Sequence, residues 1–255
     1  MTSLDAEPDS AVVLPDSGVP LIDDASLARI GRRSAIDAVR MRIGMAIRLG
    51  LLKPGERLPD KDDVALGLSV SPMTARRALA SLADDGVLVR LRGRGGGTFV
   101  AEEPPGEVLR SLTMAPSEVT EVHRLIDRRM LQETAVAHFA ALHASGEQLA
   151  ELEALTSRMA GATDWAEYHQ CDAAFHELVA EASALGAATE EYRHSLEELY
   201  AFFVPYPIQD LHVANRDHAE LTAALREGDV VAAAAVSRRH VETLHRTMVV
   251  GLLAE

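Results

Sequence analysis

The chain has 255 residues, enough for one or two domains with cores of their own. Apolar residues make up 47% of it and aromatic ones only 4%, a balance that suits packed helices. No long apolar run and no basic-then-apolar N-terminus is visible, and the lone Cys171 has no internal disulfide partner, so no membrane span is expected and a soluble cytoplasmic protein is the expectation.

The formal net charge of -14 argues against a polyanion partner until its distribution is seen. Residues 1–28 carry -6, residues 29–100 carry +7, and residues 101–255 carry -15. One basic block in an acidic chain points to a polyanion at that block.

Residues 1–28 are acidic, contain prolines and show no periodicity, which predicts a disordered tail. From Ser34, a plausible N-cap, apolar residues at Ile36, Val39, Ile43, Ala46 and Ile47 predict a helix that stops before Lys53-Pro54-Gly55. A short helix fits Lys61 to Leu68. Ser71 followed by Pro72 opens a third that runs to about Asp84. Val87 to Arg92 and Thr98 to Val100 read as a hairpin around Gly93-Arg94-Gly95-Gly96-Gly97. Residues 102–116 read as a linker. Helices are expected at 117–143, 147–160, 163–182, 188–203, 211–227 and 229–249. The expected fold is mainly α: a winged helix-turn-helix over 29–101, then an all-helical domain over 117–255.

In such a module the third helix lies in the major groove with its N-terminal residues nearest the bases. With Ala75, Ala78, Leu79 and Leu82 buried, Met73 and Arg77 point outward and Thr74 and Arg76 lie on the flanks. Arginine can pair bidentately with guanine or grip a phosphate, and Arg90, Arg92 and Arg94 on the wing could follow the backbone.

The stretch Leu51-Leu52-Lys53-Pro54-Gly55-Glu56-Arg57-Leu58-Pro59 resembles the opening of GntR-type winged helix domains. So do Val70-Ser71, Arg76 with Ala78-Leu79, and Gly95-Gly96-Gly97-Thr98-Phe99-Val100. The resemblance implies a homodimer on a pseudo-palindromic double-stranded DNA operator. The DNA-contacting candidates are Lys61, Ser71, Met73, Thr74, Arg76, Arg77, Arg92, Arg94 and Gly96. Two positions depart from the family: Asp62 and Pro72 stand where arginine is common.

In the helix at 163–182, Asp172 and His176 share the apolar stripe of Trp165, Tyr168, Phe175 and Val179. An i, i+4 pair on one face can chelate one ion. His218 shares a stripe with Ala214, Leu221 and Leu225, and His240 one with Ala233, Val236 and Leu244. A shared divalent cation would satisfy all four, although core histidines are more often simply hydrogen-bonded. The run Asp172-Ala173-Ala174-Phe175-His176, then His218-Ala219-Glu220-Leu221, Gly228-Asp229 and His240, resembles the FCD effector domain of one large GntR subfamily. That resemblance implies a metal on Asp172, His176, His218 and His240, with zinc first and nickel or manganese as alternatives. It also implies a small carboxylate effector completing the coordination. Arg124 (with His123 beside it) and His194 are the effector-contacting candidates, and His169 is a reserve ligand. The expected function is a ligand-responsive transcription regulator, a repressor and not an enzyme. The alternative is a metal-dependent enzyme using the three histidines and the aspartate.

Overall fold

The computed structural model describes residues 34–248, so the acidic stretch 1–28 lies outside the described residues. Helices dominate. The winged helix contains α1 (Ala35–Arg48), α2 (Lys61–Gly67), α3 (Pro72–Asp84) and the hairpin β1 (Leu88–Leu91) and β2 (Gly97–Val100). The hairpin is antiparallel, pairing Leu88 with Val100 and Leu91 with Gly97. The helical domain contains α4 (Gly106–Ser111), α5 (Pro116–His143), α6 (Gly146–Gly161), α7 (Trp165–Ala182), a 3-10 turn (Gly186–Thr189), α8 (Glu190–Tyr200), α9 (Ile208–Glu227) and α10 (Val230–Thr247). Among the described residues no helix is long and apolar enough to cross a membrane.

Local chemistry explains the helix starts. The Ser34 side chain accepts from Asp37 N, that of Asp60 from Asp62 N and Asp63 N, and that of Ser71 from Thr74 N. Asp164 caps α7 and Asp229 caps α10 in the same way. Each cap satisfies backbone N–H groups that have no partner within the helix. The third helix buries Ala75, Ala78, Leu79 and Leu82 against α1 and α2, the stripe expected from its periodicity.

Two features depart from the sequence reading. The wing has a third participant: Leu58 N donates to Thr98 O at 2.9 Å and Val100 N to Glu56 O at 2.9 Å, with Arg57 bridged to Phe99. The stretch 102–116 is not a free linker. It holds α4, and Leu112 and Met114 after it are buried in the common core, with Leu112 packed on Gly44 of α1.

The winged helix and the bundle share one core and pack as one unit. The second helix lies on α7. A Cβ on Gly67 would stand 2.6 Å from Ala166 Cα, so only glycine permits this approach. His169 Nδ1 donates to Gly67 O at 3.2 Å. The buried Arg42 guanidinium donates to Leu68 O at 2.8 Å and, from Nε, to Phe203 O in the bundle. Burial pulls Arg42 down to about 9, so the group stays charged at neutral pH. Gly67→Val should force these helices apart and destabilise the protein by about 1–3 kcal/mol, read as a lower Tm in thermal unfolding.

Candidate nucleic-acid interface and metal centre

On the winged helix, Arg76, Arg77, Arg92 and Arg94 are exposed, and Met73 keeps 46% of its surface accessible despite being apolar. Arg76 Nη2 lies 3.2 Å from Met73 Sδ, so the two side chains travel together. Thr74 is half-buried, and its Oγ1 lies 2.9 Å from Ser71 Oγ, which also caps the helix. Lys61 is exposed and paired with Asp62 at 2.5 Å, so the acid at the arginine position partly neutralises its neighbour. Gly96 is confined: a Cβ there would meet Leu91 O at 2.5 Å, which gives this glycine a role in the turn itself. Arg57 and Arg90 add to the same basic face, and Arg57 Nε packs where a Gly97 Cβ would stand, 2.8 Å away. Arg57 was legible only as part of the family stretch, because its place on the wing depends on the added backbone pairing.

Inside the bundle, α7 supplies Asp172 and His176, α9 supplies His218 and α10 supplies His240. One ring nitrogen from each histidine falls within 4.8 Å of the other two. Asp172 Oδ1 lies 3.4 Å from His218 Nε2 and 3.9 Å from His176 Nε2. The other Asp172 oxygen accepts from Tyr200 O–H at 2.9 Å. Burial and the neighbouring carboxylate hold that phenol well above its ordinary value, so it remains a donor.

The hydrogen-bond partners assign the tautomers. His218 Nδ1 faces Asn215 Oδ1 at 3.3 Å, while the Asn215 amide is spent on Thr156 O at 2.9 Å. With Asn215 Oδ1 nearer to Nδ1 than the Tyr168 hydroxyl at 3.5 Å, the proton of His218 is assigned to Nδ1 and the lone pair to Nε2. Arg129, which can only donate, reaches His176 Nε2 at 2.9 Å, so that nitrogen is also an acceptor. These two Nε2 atoms lie 3.3 Å apart. Ring nitrogens of three histidines and a carboxylate oxygen therefore gather at one point, a candidate cation site at which an ion would take the His176 Nε2 lone pair from Arg129. Glu133 lies 3.5 Å from His176 Nδ1 and Asp217 lies 3.6 Å from His240 Nδ1. An outer polar partner on each histidine is the usual way a metal-binding imidazole is oriented. Contact with His240 and Arg239 holds Asp217 down at about 2.

Arg129 is the group missed by sequence reading. It is buried, paired with Glu133 at 2.7 Å, and Glu133 also accepts from Tyr192 O–H at 2.8 Å. Burial alone would lower Arg129, but Glu133 more than offsets it. The expectation for Arg124 and His194 does not match the geometry. Arg124 is exposed and pairs with Glu121, and His194 is exposed and lies 3.5 Å from Glu198. On α5, Arg129 falls on the inward face and Arg124 on the outward one, and only packing decides between such neighbouring registers. His169 is buried but bonded to the winged helix and is not part of the histidine cluster.

Desolvation, then the nearby Arg129 and histidines, holds His176 well below 6.5, and desolvation then His240 does the same for His218. In an unfolded chain both would titrate near 6.5, so the unfolded state takes up protons first. Their contribution to stability is therefore present above about pH 6.5 and lost as pH falls below it. Thermal unfolding of metal-free protein should show Tm falling between about pH 7 and 5, with a shallower fall in His176→Gln/His218→Gln.

Two family profiles match the chain. Residues 35–100 match "Bacterial regulatory proteins, gntR family" and residues 124–243 match the "FCD domain". RmpR of Mycobacterium gastri, described as an HTH-type transcriptional regulator, is 29% identical over 211 residues, 80% of this chain and 77% of that protein. The Uxu operon transcriptional regulator of Escherichia coli is 28% identical over 234 residues, 85% of this chain and 90% of that protein. The HTH-type transcriptional repressor NagR of Bacillus subtilis is 37% identical over 93 residues, which cover 34% of this chain and 37% of that protein. With a gntR-type winged helix followed by an FCD domain, the chain belongs to the gntR family as a DNA-binding transcription regulator, not an enzyme.

Proposed function

We propose that the bundle binds one divalent metal and a small carboxylate effector, and that effector binding changes how a homodimer holds a pseudo-palindromic operator. The observation that carries the metal is the gathering of one ring nitrogen from each of His176, His218 and His240 within 4.8 Å, with Asp172 Oδ1 3.4 Å from His218 Nε2. Imidazoles with oriented outer nitrogens, those of His176 and His218 fully buried, suit zinc, nickel or manganese, with zinc favoured by a four-ligand set of three histidines and one aspartate. When bound, the metal supplies Lewis acidity and an anchoring point for a carboxylate. Arg129 supplies the cationic donor beside it, in place of the Arg124 and His194 contacts expected from sequence. The repressor sign follows relatives named as repressors, and a DNA regulator of this kind acts in the cytoplasm.

Metal analysis of the purified protein should find about one ion per chain, removable by chelator. His176→Ala and His240→Ala should each abolish it, and Asn215→Ala should weaken metal affinity about 10- to 100-fold. Full metal content in both histidine variants would overturn the assignment.

On the DNA side, Met73, Thr74, Arg76 and Arg77 read base edges, while Lys61, Ser71, Arg92, Arg94 and the Gly96 turn hold the backbone. Arg76→Ala should cost about 1–3 kcal/mol of specific binding in a gel shift, whereas Arg92→Ala should weaken all sequences alike and lower the salt dependence.

A further inference from the structure

A cavity of about 540 Å³ opens beside the histidine cluster. Its wall includes Arg129, Asp172 and His240 of the bundle, and also Leu49 and Leu51 of the winged helix. We propose that the effector is a carboxylic acid with an apolar body that reaches Leu49 and Leu51, so that the ligand itself bridges the bundle and the DNA-reading domain. This inference rests on the metal and carboxylate reading above and extends it to the rest of the ligand.

Size is the first argument. The volume lies within the range of pockets that enclose ligands of many heavy atoms. An acid of two or three carbons at Arg129 would leave most of it to water. The lining is the second. The wall includes Phe203, Leu211, Leu244 and Met248 together with Leu49 and Leu51, with Asp210 and Arg246 among its charged members. Water beside such surfaces is replaced favourably by an apolar chain. The polar groups near the metal end are already committed. Asp217 is held by Arg239 at 2.7 Å, and the second oxygen of Asp172 is held by Tyr200. Of the two lining arginines Arg246 is exposed and Arg129 buried; Arg129 holds Glu133 through Nε and only an imidazole through Nη2, and an ion on that imidazole would free Nη2 for a carboxylate at that end.

The third argument is what the far end touches. Leu49 and Leu51 form the turn that closes α1, where Leu51 N and Leu52 N both donate to Ala46 O at 2.8 and 3.1 Å. The first helix packs on α3, which carries Arg76 and Arg77. Phe203 lines the cavity while its carbonyl accepts from Arg42 of α1. A ligand filling the cavity would therefore press on two contacts between the domains. Differential contact of this kind is what a ligand needs to shift a conformational equilibrium.

The test is calorimetric titration of the zinc-loaded full chain with acetate, butanoate, hexanoate and octanoate. Affinity should rise about fourfold per added methylene through most of the series. Leu49→Ser/Leu51→Ser should lower the octanoate-to-acetate affinity ratio at least tenfold, and Leu49→Ser alone should lower it less. The single variant, at a half-exposed turn position, serves if the double variant unfolds. Equal binding of acetate and octanoate would overturn the apolar-body proposal and leave the carboxylate site standing. Binding of octanoate but not acetate, unaffected by zinc removal, would overturn the metal anchor on which the proposal rests.

Discussion

A buried carboxylate held by imidazoles and a tyrosine instead of an arginine governs the design of the bundle. Asp172 is buried beside two imidazoles that their neighbours keep neutral, so the tyrosine hydroxyl at its second oxygen is its main support. Isolated buried charge is costly, and a cation placed between Asp172, His176 and His218 would relieve it. The adjacent Arg129–Glu133 pair is self-compensating and further satisfied by Tyr192 and Ser237. The two systems differ in kind: Glu133 has an arginine of its own, and Asp172 has only imidazoles and a hydroxyl among the described residues.

One helix links this chemistry to DNA binding. The N-terminal half of α7 carries Trp165, Ala166 and His169, which meet the winged helix at Gly67. Its next two turns carry Asp172 and His176. A rigid helix with the candidate ion site at one end and the contact to the DNA-reading domain at the other is a short physical path between the two. Arg42 adds a second tie, because a buried guanidinium bonded to carbonyls of both domains is expensive to leave unpaired if they separate.

Charge is distributed to suit this arrangement. The exposed arginines of the third helix and the wing form a basic face, while the bundle is strongly acidic and would be repelled by a phosphate backbone. The acid pairs with base within the bundle at Arg239 with Asp217 and Glu220, and at Arg193 with Glu177. Orientation on DNA is therefore set by the electrostatics of the whole chain as well as by individual contacts.

Much of this was determined by the sequence alone, because it depends on local rules. Ser34, Asp60, Ser71, Asp164 and Asp229 mark helix starts through bonds to backbone groups two or three residues away. The stripe of α3 and the shared face of Asp172 and His176 follow from helical period. What lay beyond local rules was decided by packing between distant segments. The stretch 102–116 had turn composition, yet Leu112 is held by Gly44, far back in the chain. Arg129 and Arg124 are both arginines on one helix, and only the position of α7 and α10 against α5 turns Arg129 inward. Asn215, which fixes the tautomer of His218, has no signal of its own, since its meaning comes from Thr156 on another helix. The cavity wall shared by His240 and Leu49 exists only once the two domains meet.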